Sequence, residues 1–222
     1  LMDDSMDEQN VTKYYSGFVQ ELVDEFQLMS KLKGESNIVS YEDHIVVPHE
    51  DGIGWDILIR MELLTPLTRY AKEHPISQAD AAKLGIDICK ALEICRRHGI
   101  IHRDIKPDNI FVSERGNFKL GDFGIARTAE KTMSNLSKKG TYNYMAPEVY
   151  NGSDYGPSVD IYSLGIVLYR YLNNNRFPFL PQPPEPFSHN DLTAALARRS
   201  KGEALPAPVN AGEKLAAAVL KA

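Results

Sequence analysis

Eight consecutive residues, His102-Arg103-Asp104-Ile105-Lys106-Pro107-Asp108-Asn109, constrain this chain more than any other stretch. They hold a carboxylate, an ammonium two residues later and a carboxamide five residues after the carboxylate. That set suits phosphoryl transfer, where positioning and charge neutralisation supply most of the rate. Asp104 can orient a hydroxyl and accept its proton, Lys106 can neutralise charge on the phosphoryl group in flight, and Asn109 can hold a magnesium ion. The residues just after the string add to this set. Gly116-Asn117 marks a hairpin turn between Ile110-Phe111-Val112 and Phe118-Lys119-Leu120. Two short strands joined in this way bring Asn109 and Asp122 to one end, where both can reach the same magnesium nucleotide.

Around this centre the hydrophobic periodicity divides the chain into elements. Phe18, Leu22, Phe26, Met29 and Leu32 recur at helical spacing, with Glu21, Asp24, Glu25 and Lys31 between them, which predicts an amphipathic helix ending near Gly34. Residues 45–48 and 56–62 read as strands separated by a turn around Asp51-Gly52-Ile53-Gly54. Residues 77–98 read as a long helix, with Ser77 as N-cap, Asp80 in the first turn and Gly99 at its end. Residues 159–172 form an apolar helix broken by Ser163, Gly165 and Arg170, too interrupted for a membrane span and suited to a core. Five prolines between 177 and 187 forbid regular structure and predict a stiff, extended loop. Two short helices, at 190–201 and 211–221, complete the chain, and no internal repeat is visible.

With 43% hydrophobic residues in 222, the chain can build one sizeable core with a small appendage. A net charge of -5 argues against a broad nucleic-acid footprint. Part of that acidity, Asp3, Asp4, Asp7 and Glu8, sits in an N-terminus expected to fray. Cys89 and Cys95 lie six residues apart in one predicted helix, about 9 Å along its axis, too far to bridge. They read as buried free thiols in a reducing compartment, which points to the cytoplasm.

Three motifs in order, the string 102–109, Asp122-Phe123-Gly124 and Ala146-Pro147-Glu148, carry a resemblance to the serine/threonine protein kinases over about residues 15–222. The resemblance implies an α+β fold with a partial small β lobe over 1–62 and a mainly helical large lobe over 63–222. It implies ATP and Mg2+ as cofactors and protein serine or threonine hydroxyls as substrate. The residues it casts as catalytic are Asp104, Lys106, Asn109, Asp122 and Thr141, with Asn109 and Asp122 holding the metal. Glu25, one turn before Met29, matches the glutamate that pairs with a strand lysine, with Glu21 as runner-up. Met61 matches the residue behind the adenine. The Glu62 carbonyl and Leu64 amide match the groups facing its edge, and Phe111 the residue beneath it. Asp160 matches a structural support for the catalytic loop, and His102 and Phe123 match a hydrophobic spine. Lys106 and Thr141 favour serine/threonine over tyrosine specificity. Arg103 implies switching by phosphate on one of Thr128, Thr132, Ser134 and Ser137.

The family pattern also holds a glycine-rich loop, a Val-Ala-x-Lys strand and a late arginine that pairs with the counterpart of Glu148. The sequence departs from it here: Lys13 is the only lysine before the first helix and no arginine follows Arg199. The chain therefore reads as an incomplete and poorly active piece of a longer kinase, with self-association through its truncated surfaces. Two other readings stand beside it. One is a non-catalytic, kinase-like module that docks a partner through its helical face and proline-rich loop. The other is a small-molecule phosphotransferase of related fold.

Overall fold

The computed structural model describes residues 26, 29–50, 55–123 and 142–222. Strands β1 (Tyr41–Pro48) and β2 (Trp55–Met61) form an antiparallel pair in the register Ile45 to Leu58, with an irregularity between Tyr41 and Asp43. Ahead of them Phe26, Met29 and Leu32 are buried, as the helical spacing requires, and Gly34 turns the chain at φ 92°. A second sheet runs β3-β4-β5, from Thr65–Pro66, Ile110–Val112 and Phe118–Leu120. The predicted hairpin is therefore present, and Gly116 supplies the positive φ, 73°, that its turn demands. Ile38 adds a parallel bridge to Leu120. The Val39 amide donates to the Leu120 carbonyl and the Leu120 amide to that of Asn37, both at 2.8 Å.

Helix α1 (Leu67–Glu73) has no counterpart in the sequence pattern, because at seven residues it is too short for a periodic signature. It is fixed by Leu67, which is fully buried. Helix α2 (Gln78–Arg97) starts where the sequence says it should. The Ser77 hydroxyl accepts from the Asp80 amide and the Asp80 carboxylate accepts from the Ser77 amide, a reciprocal cap. Arg96 and Arg97 complement its C-terminal dipole. Its buried stripe, Ala81, Leu84, Ile88, Ala91, Leu92 and Cys95, faces helix α4 (Ser158–Tyr171) and strand β5.

Nine positions of α4 between Val159 and Tyr169 are buried, so this helix lies at the centre of the core. The four-residue helix α3 (Pro147–Tyr150) precedes it. Helix α5 (His189–Ser200) repeats the α2 cap with Ser188 and Asp191, and α6 (Glu213–Lys221) packs on α4. Residues 177–187 hold neither helix nor strand, in keeping with their prolines. One expectation fails: Cys95 is buried but Cys89 is exposed, because it falls off the apolar stripe of α2. Among the described residues no helix is long and apolar enough to cross a membrane.

Candidate active site

The string 102–109 folds back on itself through its own polar groups. The Asn109 side chain donates from Nδ2 to the Asp104 carbonyl at 2.8 Å and to Asp104 Oδ2 at 3.1 Å. Lys106 Nζ approaches the same Oδ2 at 3.0 Å. Asp104 and Asn109 are both buried, and the Lys106 side chain is one-fifth exposed. Two groups chosen from sequence, Lys106 and Asn109, thus meet on the carboxylate of the third, Asp104. A short 3-10 turn, Pro107–Asn109, carries Asn109 into β4.

Asp160 holds this loop from below. Its two carboxylate oxygens accept from the amides of His102, at 2.8 Å, and Arg103, at 2.7 Å. It sits in the first turn of α4, where the helix dipole favours a negative charge. Arg103 has φ 66° and Asp122 φ 58°, a left-handed conformation that costs a non-glycine residue free energy. Both strained positions lie inside the proposed chemistry.

The His102 ring lies 4.9 Å from that of Phe123, edge on. Its Nε2 donates to the Gly121 carbonyl at 2.9 Å, while Nδ1 accepts from the Asp104 amide. Burial pushes the imidazole below its ordinary pKa, against the pull of Asp160, so the ring is neutral at pH 7. With both nitrogens engaged by backbone, His102 supports the loop and has no free nitrogen for proton transfer.

The hairpin closes the site. The Gly121 amide donates to the Asn109 carbonyl at 3.0 Å, which sets Asp122 beside the loop. Gly121 has no room for a side chain: a Cβ there would stand 2.7 Å from Val39 and 2.9 Å from the Phe111 ring. Phe111 is partly buried against this glycine. Glu62 bonds through its backbone amide to the Ser40 carbonyl at 3.0 Å, and Leu64 is partly buried next to it. Met61, at the end of β2, is 48% exposed, so the described residues do not enclose it. Glu25 and Thr141 lie outside the described residues, as do Glu21, Thr128, Thr132, Ser134 and Ser137.

The donor set fits magnesium. Asn109 uses its nitrogen on Asp104, which leaves Oδ1, a hard oxygen, for a cation; Asp122 supplies carboxylate oxygens. Magnesium takes one or two such protein oxygens and completes its octahedron with phosphate and water.

The family model for the protein kinase domain matches residues 5–214, so the chain belongs to the protein kinase family. It is 34% identical over 151 residues to the serine/threonine-protein kinase shk2 of Schizosaccharomyces pombe, covering 67% of this chain and 25% of that protein. It is 34% identical over 164 residues to the serine/threonine-protein kinase STE20 of Candida glabrata, covering 73% and 17%. It is 39% identical over 116 residues to the serine/threonine-protein kinase PknB of Mycolicibacterium smegmatis, covering 50% and 18%. The chain thus spans a quarter or less of the length of these relatives.

Several residues of the site carried no sequence signal. Arg199 of α5, only 4% exposed, donates to the Asn143 carbonyl at 2.6 Å and to the Tyr162 hydroxyl at 3.1 Å. It thereby ties α5 to the segment just after position 141. Arg170 pairs with the buried Tyr144 hydroxyl in the same segment. Lys119 pairs with Glu62 across 57 positions of sequence. Each of these partnerships is made by tertiary packing between distant elements, and no local pattern encodes it.

Proposed function

We propose that the protein containing this chain transfers the γ-phosphate of ATP to serine and threonine hydroxyls of protein substrates in the cytoplasm. The observation that carries this reading is the shared carboxylate of Asp104, met by Lys106 and Asn109, with Asp122 brought alongside by the Gly121–Asn109 hydrogen bond. Asp104 orients the substrate hydroxyl and takes its proton as the oxygen attacks the γ-phosphorus, and the bond from that phosphorus to the β–γ bridging oxygen breaks to release ADP. Lys106 sits where it offsets the charge developing on the transferred group. Asn109 and Asp122 would hold Mg2+, which would neutralise charge on the phosphate oxygens. Resemblance to the family assigns Thr141 the role of the threonine that contacts the catalytic aspartate and lysine. The adenine lies over Phe111, near Met61, with its edge against the Glu62 carbonyl and the Leu64 amide. Resemblance to the family assigns Glu25 the role of the glutamate that pairs with a phosphate-clamping lysine. The boundary between small and large lobes falls at 62/63.

Two measurements test the reading. Phosphoamino-acid analysis of protein labelled with radioactive γ-phosphate is expected to give phosphoserine or phosphothreonine; predominant phosphotyrosine overturns the substrate class. Asp122→Asn is expected to weaken Mg2+-dependent ATP binding while leaving the small metal-free component. Equal Mg2+ dependence in the variant removes Asp122 from the metal site.

A further inference from the structure

The side chain of Glu62 makes contacts that its proposed adenine contact, through the backbone, does not need. Both its oxygens receive Lys119 Nζ, at 2.7 and 3.0 Å, and Oε1 also accepts from the Ser40 amide. The pair is largely sheltered: the Lys119 side chain is 14% exposed and that of Glu62 24%. An ion pair this withdrawn from water is screened less than a surface pair and holds its partners at a fixed separation.

The position of Lys119 gives the contact its meaning. In the β4–β5 register Lys119 stands opposite Phe111, the residue placed under the base. Three residues further along the same strand direction is Asp122. On the other side of the pair, Glu62 ends the β2 connection and is tied again to Ser40 through its own amide. Ser40 follows Val39, whose amide bonds Leu120, the next residue after Lys119. Glu62, Ser40, Val39, Leu120 and Lys119 therefore close a ring of short contacts around one end of β5. Without the carboxylate, the Ser40 amide and the Lys119 ammonium would both lose their acceptor.

We infer that Glu62 and Lys119 form a strut that holds the segment at 61–64 in register with the strand carrying Phe111 and Asp122, and so positions the adenine edge relative to the metal-binding carboxylate. This rests on the adenine reading of that segment. Neither side chain touches the nucleotide; both are positioning residues.

The test uses the full chain with Glu62→Gln, Lys119→Met, the double variant, and Lys119→Arg as the conservative rescue. Adenosine is the probe, because it lacks phosphates and metal and reports on the adenine end alone. Backbone amide exchange at 61–64 is followed in parallel without ligand. Each single truncation is expected to speed exchange at 61–64 and weaken adenosine binding about tenfold, one charge-assisted contact's worth. The double variant is expected to match the singles, since either change breaks the same pair, and Lys119→Arg is expected to restore both readouts. A merely structural pair would lower the melting temperature but leave the adenosine affinity of the folded protein unchanged. Faster exchange with unchanged affinity therefore overturns the positioning role. Unchanged exchange overturns the strut itself. If exchange responds but wild type takes up no adenosine, the adenine reading of the segment falls, and the inference falls with it.

Discussion

Among the described residues, the antiparallel pairs β1–β2 and β4–β5 differ in how far the core holds them. The β1–β2 ladder runs through seven residue pairs, yet it leaves Ile45, Val47 and Leu58 exposed, at 57%, 40% and 56%. The β4–β5 ladder has three pairs, and Ile110 and Leu120 at its base are fully buried. An isolated two-stranded hairpin is marginal in water whatever its length. The long pair rests on the core through Tyr41, which stacks on Phe26 at 5.6 Å, and through Ile57 and Ile59, while its outer face relies on cross-strand neighbours such as Ile45 with Leu58 and on the Glu42–Arg60 ion pair. The short one is anchored from outside. Asp87 of α2, itself buried, accepts from the Phe118 amide at 3.1 Å, and Asn37 donates to the Phe118 carbonyl at 3.0 Å. The residues that hold the proposed chemistry sit at the ends of the anchored hairpin, where a catalytic constellation gains most from a rigid frame.

The sharpest way to break this contrast is to truncate one apolar side chain in each hairpin. Ile110→Ala is expected to destabilise the protein by about 2–5 kcal/mol, because it opens a cavity in a packed site. Leu58→Ala is expected to cost about 0.5 kcal/mol or less, as for exposed positions. Urea denaturation of the two variants measures both, and equal losses would show that the hairpins are supported alike.

Next in size is the chemistry at the anchored end. Asp104→Asn removes the carboxylate that Lys106 and Asn109 share while keeping its shape. It is expected to slow phosphoryl transfer in the protein containing this chain about 10²-fold or more, with nucleotide affinity nearly unchanged. A radiolabelled phosphate assay beside a nucleotide titration checks both halves, and wild-type turnover in the variant would take Asp104 out of its role.

A smaller effect probes the external anchor itself. Asp87→Ala strips the buried Phe118 amide of its acceptor and Lys83 of its carboxylate partner, leaving it Asn117 Oδ1. The expected loss is about 1–3 kcal/mol, the cost of leaving a buried donor unsatisfied. Thermal melting measures the loss, and faster amide exchange at 118–120, with β1–β2 unaffected, locates it.

The smallest effect is a pH dependence. Burial lowers the pKa of His102 in the folded protein below its ordinary value of about 6.5. As pH falls, the unfolded chain binds a proton there first. The stability from the neutral ring is therefore complete above about pH 6.5 and is lost as pH drops toward the folded value. Melting temperatures between pH 7.5 and 5.5 are expected to fall for wild type and to fall less for His102→Gln. Parallel slopes would show that His102 is not the group responsible.

The features legible in the sequence are those whose physics is local. The cap of α2 needs only Ser77 and Asp80, three residues apart, and Ser77 caps the helix as its sequence position implies. The hairpin turn needs only Gly116 at positive φ, and the proximity of Asn109 to Asp122 follows from strand pairing. The string 102–109 likewise closes on itself within five residues. Cys89 departs from its expected burial because helical spacing alone does not say how wide the buried stripe of α2 is; its neighbours α4 and β5 decide that.

The charge pairs between distant elements were not legible. The sequence singles out Glu62 for its backbone carbonyl and says nothing of its side chain, which folding brings within 2.7 Å of Lys119. Arg199 stands in the last turn of α5, yet it is buried and bonded to Asn143 and Tyr162. A charge's role depends on what faces it and on how much water remains, and neither is a property of its neighbours in sequence. The chain's own order of residues determined the motifs, the caps and the turns. Packing between distant elements alone decided which remote ions are paired, which histidine nitrogen carries the proton, and which hairpin is anchored, because burial and long-range contact exist only once the elements have met.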